Sequence, residues 1–213
     1  PLYSSAASDV YKRQGYDRQV RPGRYKVRDG MSSNTLVNML RSGNQDPVMV
    51  VFNNIRNLNE LAGRVSEYLE GDSADFATHL SADETAVRYG FDHATFPSMF
   101  IPNTYEFFWT TSPGEFTERM HEEYEAFWKG ERDRKAQSLD MTRVEVTTLA
   151  SIVDEETLHD DENSRIAGVY LNRLEKGIPL QADPTLKFAL NDFTRKRILN
   201  SDKGIDSPYN TYK

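Results

Sequence analysis

The 213-residue sequence contains no cysteine. Disulfides, thiolate metal sites and cysteine nucleophiles are thereby excluded, and the compartment stays undecided. No apolar run approaches the ~20 residues that a membrane-spanning helix needs. Basic residues are in deficit: 26 Lys and Arg stand against 33 Asp and Glu, a net charge of -7, and the pI lies near 5.2. That balance argues against nucleic acid as a partner, because a phosphate backbone is held by a basic face. What the chain does have is apolar material. A hydrophobic content of 38%, with 11 Tyr, 11 Phe and 2 Trp, is enough for a packed core in one large domain or two small ones. The mean hydropathy of -0.69 then reflects a charged surface rather than disorder.

The chain opens on Pro1 and closes on Lys213 in a stretch that does not look finished. Residues 1–15 lack any periodicity that continues into the next segment. They resemble a translated sequencing adapter and take no part in the predicted fold. The whole reads as a fragment, truncated at its C-terminal end, whose anchor would have been lost.

From about Tyr16 the pattern is that of a small α+β unit. Gly23 to Val27 alternates as a short strand closed by the turn Asp29-Gly30. Ser33 is placed to cap a helix with a Leu36, Met39 and Leu40 stripe, stopped by Gly43. Val48 to Phe52 reads as a second strand. Asn57, with Glu60 three residues on, starts a helix carrying Leu58, Leu61, Ala62, Val65 and Leu69. Two short helices are expected between Ser73 and Tyr89, the second opened by a Ser81-x-x-Glu84 capping box.

The stretch from Phe96 to Trp109 is dense in aromatics, and its two prolines forbid a regular helix interior. Phe96, Phe100, Ile101 and Phe107 read as core. Asn103, Thr104 and Tyr105 are polar residues in an aromatic wall, an arrangement suited to a sugar that stacks its apolar face and needs directional partners for its hydroxyls. Core packing is the simpler account of that composition. Ser112-Pro113-x-Glu115 is a strong helix start. That helix should run to about Arg134 with Phe116, Met120, Tyr124, Phe127 and Trp128 buried.

Thr142-x-x-Glu145 caps the next helix, which runs into three consecutive acids, Asp154, Glu155 and Glu156. At about 100° per residue, Val146, Leu149, Ile152 and Val153 share one face, and Glu156 falls between Leu149 and Ile152 on it. Asp154 and Glu155 point sideways and away. A carboxylate on an apolar face pays for desolvation, so its pKa is expected to rise, which is what a general acid needs. A fraying helix end is the competing account. His159, Asp160 and Glu162 are metal-ligating types, but no second histidine occurs after them at ligand spacing and short acidic turns commonly cap helices. No metal and no cofactor is expected. A further helix should bury Ile166, Val169, Tyr170 and Leu174 and stop at Gly177. Asp183-Pro184 reads as N-cap and first helical proline, and Ser207 to Tyr212 as a turn rich in hydrogen-bonding side chains.

Five segments then occur in one order and spacing: Phe100-Ile-Pro-Asn-Thr-Tyr105, Leu149-Ala-Ser-Ile-Val-Asp-Glu-Glu-Thr157, Ile166-Ala-Gly-Val-Tyr-Leu-Asn-Arg-Leu174, Leu180-Gln-Ala-Asp-Pro-Thr185 and Tyr209-Asn-Thr-Tyr212. Together they resemble the endolytic murein transglycosylases of the MltG (YceG-like) family. The region from Arg21 through Asn53 resembles that family's LysM-like subdomain. The resemblance implies an α+β chain with a LysM-like module over 16–71 and a mostly helical catalytic domain with short strands over 72–213, the latter incomplete. It implies a single-pass anchor in the cell (inner) membrane, a catalytic domain outside the cytoplasm, and peptidoglycan glycan strands as substrate, near the cell wall synthesis complex at the membrane. The family's catalytic glutamate is the second Glu of a Val-Glu-x-Glu-Thr pattern, here Glu156. Asp154 replaces the first glutamate of that pattern, and Asn103 stands where the family usually has Asp, so residue 103 is given no proton-transfer role.

On this resemblance Glu156 would protonate the oxygen between N-acetylmuramic acid and N-acetylglucosamine, then accept the C6 hydroxyl proton as a 1,6-anhydro ring closes. Asn103, Tyr105, Gln181, Asp183, Thr185, Tyr209 and Asn210 are the candidates for holding the sugar. Three alternatives stay open: a hydrolase in which Asp183 or another acid activates water, a peptidoglycan-binding module without catalysis, and a structural interaction protein.

Overall fold

The computed structural model describes residues 21–213. The expected adapter-like segment and the start of the first module at residue 16 lie outside the described residues. The chain is a mixed, helix-rich α+β fold with a two-stranded sheet among the described residues. It divides into two compact units at Phe127 and Trp128.

In the first unit, helix α1 (Ser33–Ser42) is capped by Ser32, one residue before the expected Ser33, and ends at Gly43 with φ 70°. Ser33 already has helical geometry, so the hydroxyl that reaches the Thr35 N–H comes from its neighbour. Strand β1 (Val48–Phe52) buries Val48, Val50 and Phe52 and exposes Met49, the alternation expected of a half-buried strand. Its partner is β2 (Asn103–Phe107), antiparallel, with Val50 opposite Tyr105 and Phe52 opposite Asn103. The expected strand from Gly23 to Val27 does not form. A ladder needs a partner backbone, and here the Asp46 carboxylate takes the Lys26 N–H at 2.7 Å while the Asp46 N–H goes to the Arg24 carbonyl at 2.8 Å.

Helix α2 (Leu58–Ser66) is capped by Asn57 and buries Leu58, Leu61, Ala62 and Val65 as its period requires. Helices α3 (Ser73–Ser81) and α4 (Asp83–Arg88) come next. The Ser81 capping box is absent: Ser81 is the last residue of α3, and α4 starts from Ala82 with no side-chain cap. Helix α5 (Pro113–Trp128) begins on the expected cap, with the Ser112 N–H donating to Glu115 at 2.8 Å. It stops earlier than expected because Gly130 takes φ 86°, and α6 (Glu131–Ser138) is a separate helix.

Phe116, fully buried, is the hub of the first unit's core. Phe76 meets it edge-on at 5.8 Å, Phe107 at 5.3 Å, and Phe100 stacks at 6.2 Å. Such contacts add to simple burial. Phe116→Ala is therefore expected to destabilise the protein by about 3–5 kcal/mol, and Phe116→Leu by clearly less. Denaturant unfolding with circular dichroism as the readout checks this, and equal losses for the two variants would contradict the aromatic-hub account.

Candidate functional site

The second unit is built on α7 (Arg143–Glu156). Its start is fixed by a full capping box: the Thr142 hydroxyl oxygen accepts the Glu145 N–H, and the Glu145 carboxylate accepts the Thr142 N–H at 2.7 Å. Leu149, Ile152 and Val153 are buried, as the period predicts. Glu156 is not buried. It is exposed, like Asp154 and Glu155. It is the last helical residue, and Thr157 after it is extended with φ -140° and ψ 148°. Helical phase sets the direction of a side chain, whereas the depth depends on how far the packed layer continues. Here the layer ends one turn before the helix does.

Helix α8 (Asp160–Glu175) returns against α7 after a tight polar turn. In that turn the Thr157 hydroxyl donates to Glu162 at 2.7 Å and accepts the His159 N–H at 3.1 Å. Tyr170 is buried with Leu149, Ile152, Val153 and Ala182, and Ile166, Ala167 and Leu171 pack beside them. Val169 and Leu174, expected inside, are 52% and 47% exposed. Ile166 and Tyr170 face in as expected, and Ala167 and Leu171 complete the inner stripe in place of Val169 and Leu174.

Helix α9 (Asp183–Ala189) brings the second acid. The Asp183-Pro184 pair predicts that Asp183 caps this helix, but Ala182 holds the cap position and Asp183 is the first helical residue. Its Oδ1 accepts the Tyr212 hydroxyl instead. The approach is made by Gln181, whose φ of 56° turns the chain so that two successive N–H groups meet Thr211. The Gln181 N–H donates to the Thr211 carbonyl at 2.8 Å and the Ala182 N–H to the Thr211 hydroxyl oxygen at 3.0 Å. Thr185, buried, shares a hydrogen bond with the same hydroxyl at 2.9 Å. A left-handed non-glycine residue costs on the order of 1–3 kcal/mol, and these three bonds at about 1 kcal/mol each offset it.

The remaining predicted residues of this unit support that joint. Gln181 accepts a hydrogen bond from Arg173 at 2.9 Å through its side-chain oxygen. Asn210 donates to the Lys203 and Ile205 carbonyls and accepts the Tyr212 N–H at 2.9 Å. Tyr209 stands edge-on to Phe188 at 4.8 Å, and both rings are 36% exposed. Asn103 and Tyr105 belong to the first unit, on β2. Asn103 is exposed, while Tyr105 is buried, donates its hydroxyl to the Ile101 carbonyl at 2.6 Å and stacks on Phe52. Burial, then the charge of Glu123, pushes the Tyr105 phenol up to about 12.

Electrostatics tie Glu156, Tyr170, Asp183 and Tyr212 into one cluster. Burial, then the Glu156 carboxylate and the Asp183 charge, push the Tyr170 phenol up to about 12. Burial, the Asp183 hydrogen bond and charge, then Glu156 and Tyr170, push Tyr212 to about 12 as well. Both phenols therefore stay protonated, and Tyr212 donates to the Asp183 carboxylate. Two exposed acids in this setting, one of them tied to a tyrosine, form a negative patch suited to positive charge on a ligand. Among the described residues no group of three or more His, Cys, Asp or Glu is arranged to hold a metal ion. Sequence reasoning does not single out Tyr170, Arg173, Thr211 or Tyr212 as site residues. The signal for Tyr212 is present in the Tyr209 to Tyr212 segment, but its partner lies 29 residues away.

The site is thus a carboxylate–tyrosine cluster on a helix-rich α+β fold. The model of the YceG-like family matches residues 2–213, and the chain belongs to that family. The endolytic murein transglycosylase of Bacillus subtilis (strain 168) is 47% identical over 66 residues, which are 31% of this chain and 18% of that protein. That of Streptococcus pneumoniae serotype 2 is 36% identical over 80 residues, 36% of this chain and 14% of that protein. The chain thus aligns with less than a fifth of either relative. A 2.6 Å crystal structure of a YceG-like protein from Listeria monocytogenes covers 98% of this chain, with 73% of its own length matched, a TM-score of 0.67 and 24% identity. That likeness is one of fold.

The cluster has an alkaline signature. Tyr170 and Tyr212 have an ordinary value of 10.0 and are raised to about 12 in the folded protein. The stability they contribute is fully present below pH 10 and is lost as pH rises through 12. Glu156→Gln should lower the Tyr170 value while burial keeps it above the ordinary one. Ultraviolet difference titration against Tyr170→Phe checks this, and an unmoved value would show that Tyr170 does not sense Glu156.

Proposed function

We propose that this chain carries the catalytic site of an endolytic lytic transglycosylase that cuts peptidoglycan glycan strands in cell wall assembly. The observation that carries the reading is the hydrogen bond from Tyr212 to Asp183, near enough to Glu156 for its charge to act on Tyr212, in one unit of a YceG-like chain. The names of the Bacillus and Streptococcus relatives support the substrate class.

In this reading Glu156 donates its proton to the oxygen of the bond between N-acetylmuramic acid and N-acetylglucosamine. The bond from C1 to that oxygen breaks, and N-acetylglucosamine leaves with the proton. The C6 hydroxyl of the muramoyl residue then attacks C1, and Glu156 takes its proton, so a 1,6-anhydro end forms and Glu156 is restored. No water is consumed, so one acid suffices for the proton transfers. Asp183 stabilises the positive charge that develops at C1. Gln181, Tyr209 and Asn210 shape the surface around the sugar, Thr185 holds the floor from beneath, and Asn103 belongs to the glycan surface of the first unit, where Tyr105 is buried and takes no direct part. The reading includes a LysM-like module over 16–71, a catalytic domain over 72–213, a single-pass anchor in the cell membrane and work beside the cell wall synthesis complex. Among the described residues no helix is long and apolar enough to cross a membrane.

The exposed position of Asp183 favours one second reading, in which it activates water and the enzyme is a hydrolase. Digestion of purified sacculi by the full-length protein, with mass spectrometry of the fragments, separates the two. Anhydro ends support the lyase, whereas reducing ends heavier by one water support the hydrolase. Glu156→Gln is expected to lower turnover by at least about 100-fold, and undiminished cleavage would remove Glu156 from the mechanism.

A further inference from the structure

Tyr212 is the residue of the cluster whose role the proposed chemistry leaves unused, since no proton passes through it. Its backbone is fastened twice. The Tyr212 N–H donates to Asn210 Oδ1 at 2.9 Å, and the preceding Thr211 carries both N–H contacts from Gln181 and Ala182. Its ring is fastened as well, with the Lys203 ammonium 4.8 Å from the ring centroid. A side chain held at backbone and ring delivers its hydroxyl to one place, and that place is Asp183 Oδ1. Among the described residues no hydrogen bond reaches Asp183 Oδ2.

We propose that Tyr212 is a positioning residue that acts through Asp183: its hydroxyl occupies Oδ1 and so presents Oδ2 to the cationic carbon of a glycan strand in the reaction's transition state. This rests on the lytic transglycosylase reading above. Asp183 sits on the first turn of α9 and is exposed, so its side chain has several rotamers open to it in water. Charge stabilisation works through groups already oriented when charge develops, and a freely rotating carboxylate is a poor one. The Tyr212 hydroxyl removes that freedom at Asp183. The charged and titratable groups around Asp183 and Tyr212 are Glu156 at the end of α7, Tyr170 and Arg173 on α8, and Lys203 beneath the Tyr212 ring. Of these side chains it is Tyr212 that hydrogen-bonds Asp183 itself, which gives its substitution a single target.

A double-mutant cycle in the full-length enzyme tests the proposal, with kcat and KM measured on uncrosslinked glycan strands. Tyr212→Phe keeps the ring over Lys203 and removes only the hydroxyl. It is expected to lower kcat by about 10-fold or more with KM changed less than about twofold, while the melting temperature stays close to that of the unsubstituted enzyme. In an Asp183→Asn background the same substitution should change kcat by less than about twofold, because the group it acts through is already lost. A loss of kcat that is the same in both backgrounds would overturn the proposal, as would a loss accounted for by KM alone. Glu156→Gln run alongside keeps the two levels apart. Cleavage surviving in that variant refutes the parent reading, whereas an inactive Glu156→Gln with additive Tyr212 and Asp183 effects refutes the positioning role alone.

Discussion

Packing between α7 and α8 is the contact on which the candidate site depends. Leu149, Ile152 and Val153 from one helix close over Tyr170 from the other, with Ala182 at the same centre. Each buried apolar side chain of that size contributes roughly 1.5–3 kcal/mol, far more than any exposed polar contact at the rim. The apolar layer therefore decides the geometry, and the polar groups inherit it. Glu156 emerges one turn beyond the layer on α7, where its charge acts on Tyr170. Asp183 comes directly after Ala182, a member of the layer.

The second ingredient is polar and weaker. Thr211 gathers the Gln181 and Ala182 N–H groups and the Thr185 hydroxyl, and Asn210 ties down the turn before it. No single bond in this joint decides anything, but together they hold a left-handed Gln181 and bring residues 29 apart in sequence to one carboxylate. Leaving both acids exposed also has a physical logic. Two nearby carboxylates sealed away from water would each carry a penalty of several kcal/mol. Exposure keeps both available to a ligand, and the Tyr212 hydroxyl still orients Asp183.

Much of this is legible in the sequence, and the failures have a common cause. Caps and boxes can be read where the signal is local. Asn57 with Glu60, Ser112 with Glu115 and Thr142 with Glu145 all form as their spacing implies. Strand β1 and the α2 stripe come from alternation and period. What fails needs a distant partner. The stretch from Gly23 to Val27 alternates but has no strand beside it, and the Asp46 carboxylate takes its N–H group. Asp183 looks like a helix cap until Tyr212 claims it. Periodicity puts Ile166 and Tyr170 of α8 inside correctly but adds Val169 and Leu174, because the period alone does not fix which edge of the stripe α7 covers; Ala167 and Leu171 pack there instead. It puts Glu156 inside for a related reason, since phase gives direction and not depth. The family segments draw attention to Glu156 and Asp183, while the hydrogen bond that Tyr212 makes to Asp183 comes only from the folded chain.

The central claim is that a glycan strand is held for cleavage between Glu156 and Asp183. A crystal structure of the Glu156→Gln variant of the full-length protein with a bound peptidoglycan oligosaccharide tests it most directly. The account predicts the scissile oxygen within hydrogen-bonding distance of the residue 156 side chain, with Asp183 Oδ2 facing C1 of the muramoyl residue. An oligosaccharide bound elsewhere, with both of these side chains facing solvent, would contradict it.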